Sequence, residues 1–166
     1  FFVPLEFPVK NERLATASAA DFKQIPGSPI AYWINQAVRN AFVNFPRIDE
    51  SGAAASGIQT SDNERFLKLW YEVSKDTICS NLDSFENAPN QKCYVPHNKG
   101  GEFRRWYGNQ EYLLDWSYKG QAAKSFNKFQ EKNMHLQMKE AATWSHTSSG
   151  TFSVRYSPSG RSFNVE

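Results

Sequence analysis

Between Ser28 and Pro46 the chain carries the pattern that most restricts its fold. Ile30, Trp33, Ile34, Ala37, Val38, Ala41, Phe42 and Phe45 recur at three- and four-residue spacing. That spacing lays one apolar face along a helix. Ser28 is placed to cap this helix, and Pro29 suits its first turn, where the missing N–H needs no partner. Pro46 ends it. Trp33 and Phe42 are expected to pack in a core.

The other segments are shorter and less periodic. Residues 1–10 read as an edge strand or extended lead-in, and Ala15–Phe22 has a weak helical pattern. Residues 47–63 are small and polar and read as a loop. Phe66–Val73 reads as a buried strand, and residues 74–92 as another loop. Phe103–Tyr107 and Glu111–Trp116 are expected to pair across a Gly108-Asn109 turn. Residues 119–140 have helix propensity, with Ala122, Ala123, Phe126 and Phe129 as a stripe. Thr143–Val165 reads as short strands with turns at Ser149-Gly150 and Ser159-Gly160. The mixture predicts an α+β fold of mixed small sheets with one prominent amphipathic helix.

A chain of 166 residues suffices for one domain with a hydrophobic core. It starts at Phe1 rather than Met and ends at Glu166 within a strand-like segment, so both ends are expected to continue into a longer protein. No stretch approaches the roughly 18 apolar residues of a membrane-spanning helix. Cys79 and Cys93 are the only cysteines, and they read as free thiols in a reducing cytoplasm. Net charge is +2 but unevenly spread. Residues 1–90 hold 8 Lys and Arg against 11 Asp and Glu, whereas residues 91–139 hold 9 against 4. The middle of the chain is therefore the place for an anion-binding face.

Signatures of a self-contained active site are missing. There is no G-x-G-x-x-G, no G-x-x-x-x-G-K-[ST] and no G-x-S-x-G in the sequence. Cys79, Cys93 and His97 give C-x13-C-x3-H without a nearby fourth ligand, a poor zinc spacing. No Glu has a Lys two residues after it, the spacing common in metal-dependent nucleases.

Binding chemistry, in contrast, is concentrated in Asn98–Asn109. Gly100 and Gly101 let backbone N–H groups approach a phosphate. Lys99, Arg104 and Arg105 supply charge for phosphates or bidentate contacts to guanine, and Asn98 and Asn109 match adenine edges. Trp106 and Tyr107 offer rings that stack on bases or pack under a sheet. Gly57–Arg65, with Gln59, Thr60 and Asn63, reads as a helix-capping turn or a recognition loop. Thr143–Gly150, with Trp144, Ser148 and Ser149 and followed by Arg155-Tyr156, has the short hydroxyls that suit phosphate contacts or β-turns.

Four blocks in order carry a resemblance. They are Ile25–Trp33, Gly57–Val73, Tyr94–Gly101 continuing through Arg104–Asn109 to Trp116, and Thr143-Trp144-Ser145 with Ser148-Ser149-Gly150, Phe152-Ser153 and Arg155-Tyr156. Together they resemble the region after the catalytic domain in PglX-like adenine-specific DNA methyltransferases of BREX phage-defence systems, and in related fused type IIG restriction–modification proteins. The resemblance covers roughly residues 24–160. It departs from the pattern at His97, where Tyr is more usual, and at Ala53–Ser56, and it is loose over Met134–Ala142.

The resemblance implies a target-recognition-domain-like fold over residues 25–166, truncated at its C-terminus, with residues 1–24 as a lead-in. It implies a cytoplasmic, bacterial piece of an S-adenosylmethionine-dependent enzyme that flips an adenine and methylates its amino group. No Asn here is followed by Pro-Pro, so the family's N-P-P-[YF] catalytic motif is absent, as is its cofactor-binding glycine motif. The implied role is specificity without catalysis and without a cofactor held in this segment. The implied partners are double-stranded DNA and the catalytic domain of the same parent chain. The DNA-contacting set is Gln59, Thr60, Asn63, Asn98, Lys99, Gly100, Gly101, Arg104, Arg105, Tyr107, Asn109, Trp144, Ser148, Ser149 and Arg155. The alternative is a protein-interaction or scaffold module, for which the apolar Ile30–Phe45 helix is the support.

Overall fold

The computed structural model describes residues 17–145 and 150–164. The lead-in strand expected over residues 1–10 lies outside them. The chain divides into two compact units, with the boundary between Ala54 and Ala55. No helix among the described residues is long and apolar enough to cross a membrane. The class is α+β, as the sequence predicts, with helices that are short and sheets that are small.

In the first unit, α1 (Ala19–Phe22) is a single turn closed by a Ser18–Asp21 capping box. The prominent helix is shorter than its apolar stripe. α2 spans Gln36–Asn44 and is capped by Asn35, whose side chain accepts from Val38 N at 3.0 Å. Ser28 cannot cap a helix because it continues the left-handed turn of Gly27, with φ of 49° and 82° respectively, where a cap needs extended backbone. The end of the helix agrees with expectation: Phe45 is the C-cap and Pro46 follows. The expected burial of Trp33 and Phe42 is overturned. They are 70% and 50% exposed, and Arg39, paired to Asp21 at 3.5 Å, is the buried residue of α2. One further turn, α3 (Ile48–Ser51), completes this unit.

In the second unit a four-stranded sheet has the order β1-β3-β2-β6, from β1 (Leu67–Leu69), β2 (Tyr94–Asn98), β3 (Tyr112–Asp115) and β6 (Ser162–Phe163). β3 runs antiparallel to β1 and β2, and β6 runs parallel to β2. A separate antiparallel pair joins β4 (Ala141–Thr143) to β5 (Arg155–Ser157). Against the sheet lies a core of Ile58, Phe66, Leu67, Phe85, Val95, Leu114, Trp116, Ala123 and Met138. Burying such side chains contributes about 1.5–3 kcal/mol each, before the entropy of ordering them.

The strand predicted over Phe66–Val73 stops early. Phe66 closes α4 (Asn63–Phe66), and the strand yields to a 3-10 turn at Trp70–Glu72, because the Glu72 carboxylate reaches back to accept from Leu69 N at 2.6 Å. The helix expected over residues 119–140 is also cut short. α5 covers Ser117–Lys124, and Tyr118, Lys119 and Gly120 within it take left-handed backbone. Gly120 is required there: a Cβ would sit 3.0 Å from the Trp116 ring at a φ of +74°. The stripe still packs without a continuous helix, since Ala123 is buried and Phe126 and Phe129 rest on Phe66 with centroids 5.6 and 6.1 Å away.

The free-thiol reading of the cysteines is corrected as well. Ile78 bridges Tyr94, and Cys79 N donates to Tyr94 O at 2.9 Å, which lays the 74–92 loop beside β2. The two Cα atoms are thereby 5.8 Å apart and the sulfurs are bonded, a separation within the usual range.

Candidate functional site

The expected hairpin between Phe103–Tyr107 and Glu111–Trp116 does not form. β3 pairs instead with β1 and β2, and the loop from Lys99 to Asn109 folds outward from the sheet. Its backbone departs from extended geometry at three positions, with positive φ at Trp106 (74°), Gly108 (130°) and Asn109 (56°). An aromatic residue at positive φ is an outlier that its surroundings must hold in place. Here β5 holds it. Trp106 N donates to Val154 O at 3.0 Å, and Tyr156 N donates to Trp106 O at 2.8 Å. Asn109 Nδ2 closes the loop on Glu102 O at 3.0 Å.

A half-buried strut fixes the two ends of this loop. Arg161 Nε donates to Asn98 Oδ1 at 3.1 Å, and Arg161 Nη2 donates to Gln110 O at 2.9 Å. Asn98 Nδ2 donates to Ser157 Oγ at 2.6 Å. Next to it, His97 is fully buried, with Nδ1 2.7 Å from Ser162 Oγ. Burial, and then the cations Arg161 and Lys99, push the His97 imidazole down to about 3. The sequence offered no signal for Arg161, because its partners are 51 and 63 positions away.

The structure therefore brings two of the sequence clusters together. The 99–109 loop and the β4–β5 pair form one face, on which Phe103, Trp106, Tyr107, Trp144, Phe152 and Tyr156 are all exposed. So many exposed rings in one region are unusual for a solvent-only surface. Lys99 Nζ lies 4.9 Å from the Tyr112 ring centroid, and the Arg105 guanidinium lies 5.5 Å from that of Phe103. Arg104 approaches Glu102 only at 3.9 Å and is well exposed, so its charge remains available. A cavity of about 330 Å3 opens here, lined by Gly101, Phe103, Ser145, Gly150, Thr151, Phe152 and Ser153. Behind it sits Arg155, which is 3% exposed.

The remaining members of the expected DNA-contacting set are placed differently. Gln59 exchanges backbone hydrogen bonds with Gln130, and its side chain accepts from Lys132 Nζ at 3.3 Å. Thr60 is buried and its hydroxyl donates to Asn63 Oδ1, beside the Asp62 cap of α4. Among the described residues no hydrogen bond joins this cluster to the 99–109 loop. Asn98 is buried and its amide is consumed internally. Gly100 is half-buried next to exposed Gly101. Ser148 and Ser149 lie outside the described residues. Phe103, Trp106, Ser145, Phe152 and Ser153 belong to the face although the expected DNA-contacting set did not include them.

No protein-family model matches the chain. Two curated relatives do. One is the adenine-specific methyltransferase PglX of Lacticaseibacillus casei (strain Zhang), 37% identical over 152 residues, which cover 87% of this chain and 13% of that protein. The other is the adenine-specific methyltransferase BrxX of Escherichia coli O9:H4 (strain HS), 37% identical over 147 residues, again 87% of this chain and 11% of the relative. The chain spans about an eighth of the length of these proteins. It is homologous to one part of the PglX- and BrxX-type adenine-specific methyltransferases.

Proposed function

We propose that this chain is the DNA sequence-recognition part of a larger S-adenosylmethionine-dependent N6-adenine DNA methyltransferase of a BREX-type phage-defence system. The observation that carries the reading is the face built by the 99–109 loop on β5. It presents Lys99, Arg104 and Arg105 together with exposed rings, in a chain whose relatives are named as adenine-specific methyltransferases. Cations there neutralise phosphates, and aromatic side chains stack on or wedge against bases. Methyl transfer and cofactor binding belong, on this reading, to another part of the parent protein, since the N-P-P-[YF] motif is not in this sequence. The recognition domain is assigned to residues 25–166, with the DNA-facing side chains in residues 55–166.

The test is duplex binding measured over a salt series. Changing Lys99, Arg104 and Arg105 together to Ala is expected to weaken binding to all sequences alike. It is also expected to lower the slope of log K against log salt by about 0.9 for each phosphate the variant no longer neutralises. A triple variant that binds with unchanged affinity and slope would show that DNA does not bind on this face.

A second reading is favoured by a different observation. Ile30, Trp33, Val38, Phe42, Phe45 and Ile48 are all exposed in the first unit. We infer that this part docks against the catalytic domain of the parent protein. Replacing Trp33 and Phe42 with Ser is then expected to weaken methylation by the parent enzyme while leaving duplex affinity of this chain unaltered.

A further inference from the structure

Arg155 is the least expected charge in the molecule. It is 3% exposed, and among the described residues no carboxylate lies within ion-pair distance of it. Burial lowers the pKa of its guanidinium, but arginine remains charged. A buried cation without a counter-ion is costly, so its neighbours are informative. Nη1 lies 3.5 Å from Ser153 Oγ, and Nη2 lies 3.4 Å from Ser145 Oγ. A guanidinium only donates, so each serine oxygen acts as the acceptor and its own O–H proton is directed elsewhere.

Both serines line the 330 Å3 cavity, together with Thr151, Phe103 and Phe152. Among the described residues no acidic side chain lines it. The cavity thus offers hydroxyl donors polarised by a positive charge behind them. We propose that this cavity seats one phosphodiester of the DNA backbone, with Ser145 and Ser153 donating to its oxygens and Arg155 supplying the counter-charge through them. Phe103 and Phe152 then flank the adjoining sugar and base. This rests on the DNA-recognition reading and adds to it an anchoring point separate from Lys99, Arg104 and Arg105.

Arg155→Ala removes a buried side chain from β5 and risks unfolding the hairpin. The decisive variant is therefore the Ser145→Ala, Ser153→Ala double, verified as folded by its circular dichroism melt. Fluorescence anisotropy with a labelled duplex is compared over a salt series for the wild-type chain, this double and the Lys99, Arg104, Arg105 triple. The double is expected to bind every duplex roughly ten-fold more weakly, with a salt slope reduced by about 0.9. Inorganic phosphate is expected to shift the amide resonances of Thr151 and Ser153 in the wild type and not in the double. If the double keeps wild-type affinity and slope while the triple loses both, the DNA face stands and the phosphate seat is overturned. Phosphate shifts without duplex binding by the wild type would overturn the DNA source of the anion. Absence of both duplex binding and phosphate shifts would overturn the recognition reading and the seat with it.

Discussion

His97 shows how far a single side chain can be from what its type suggests. The sequence offers His97 only as a candidate in a poor zinc spacing, yet it is fully buried and held by Ser162. Ser162 Oγ donates to Pro96 O at 3.3 Å, and burial keeps the His97 ring neutral. The folded pKa of about 3 lies below the unfolded value of 6.5. Above pH 6.5 the residue is neutral in both states and has no effect on stability. Below that, the unfolded chain binds a proton that the folded chain refuses. Stability is therefore expected to fall as pH drops from 6.5 towards 3, with a slope approaching about 1.4 kcal/mol per pH unit. His97→Gln should flatten that dependence, measured as urea midpoints between about pH 7 and about pH 4. Arg161 is equally hidden from sequence reasoning. Arg161→Ala is expected to cost about 2 kcal/mol because its charge-assisted hydrogen bonds go unmade, and amide exchange in residues 99–109 should accelerate.

At the scale of elements, local chemistry was legible where partners lie within a few residues. Pro46 ends α2, and α1 falls within the weak helical pattern of Ala15–Phe22. It failed where a distant partner decides. Phe103–Tyr107 has strand-like composition, but β5 takes the backbone of Trp106 and leaves no hairpin. The 79–93 segment looks like an ordinary polar loop, yet Phe85 and Ala88 within it are core residues, and Phe85 lies 4.1 Å from Trp116 by ring centroids. Its disulfide closes a span of 14 positions. Reduction is expected to cost about 3 kcal/mol through the freedom returned to the unfolded loop, read as a lower denaturant midpoint in the presence of reductant. Gly160 shows the same dependence on a distant neighbour: a Cβ there would meet Ser80 O at 2.5 Å, at a φ of +79°.

For the whole molecule, the distribution of burial predicts where cooperative stability lies. The core cluster draws all its members from Ile58 to Met138, whereas Ile25 and Ala31 are the only buried apolar residues described before Gly57. A chain shortened to residues 55–166 is therefore expected to retain a single cooperative thermal transition and the near-ultraviolet signal of Trp116. Loss of that transition on shortening would show that the earlier residues complete the fold.

The sequence by itself determined the α+β class, the basic and aromatic character of Asn98–Asn109, and a resemblance to PglX-like methyltransferases, which relatives 37% identical over most of the chain support. These are properties of composition, spacing and residue order, which need no knowledge of contacts. Tertiary structure alone decided that Trp33 and Phe42 face solvent, that Asn98 is a strut rather than a free amide, and that Arg155 lies buried behind two serines. Each of those outcomes depends on partners distant in the chain. Periodicity marks one face of a helix without saying whether anything covers it, and residue type names a donor or acceptor without saying which partner takes it.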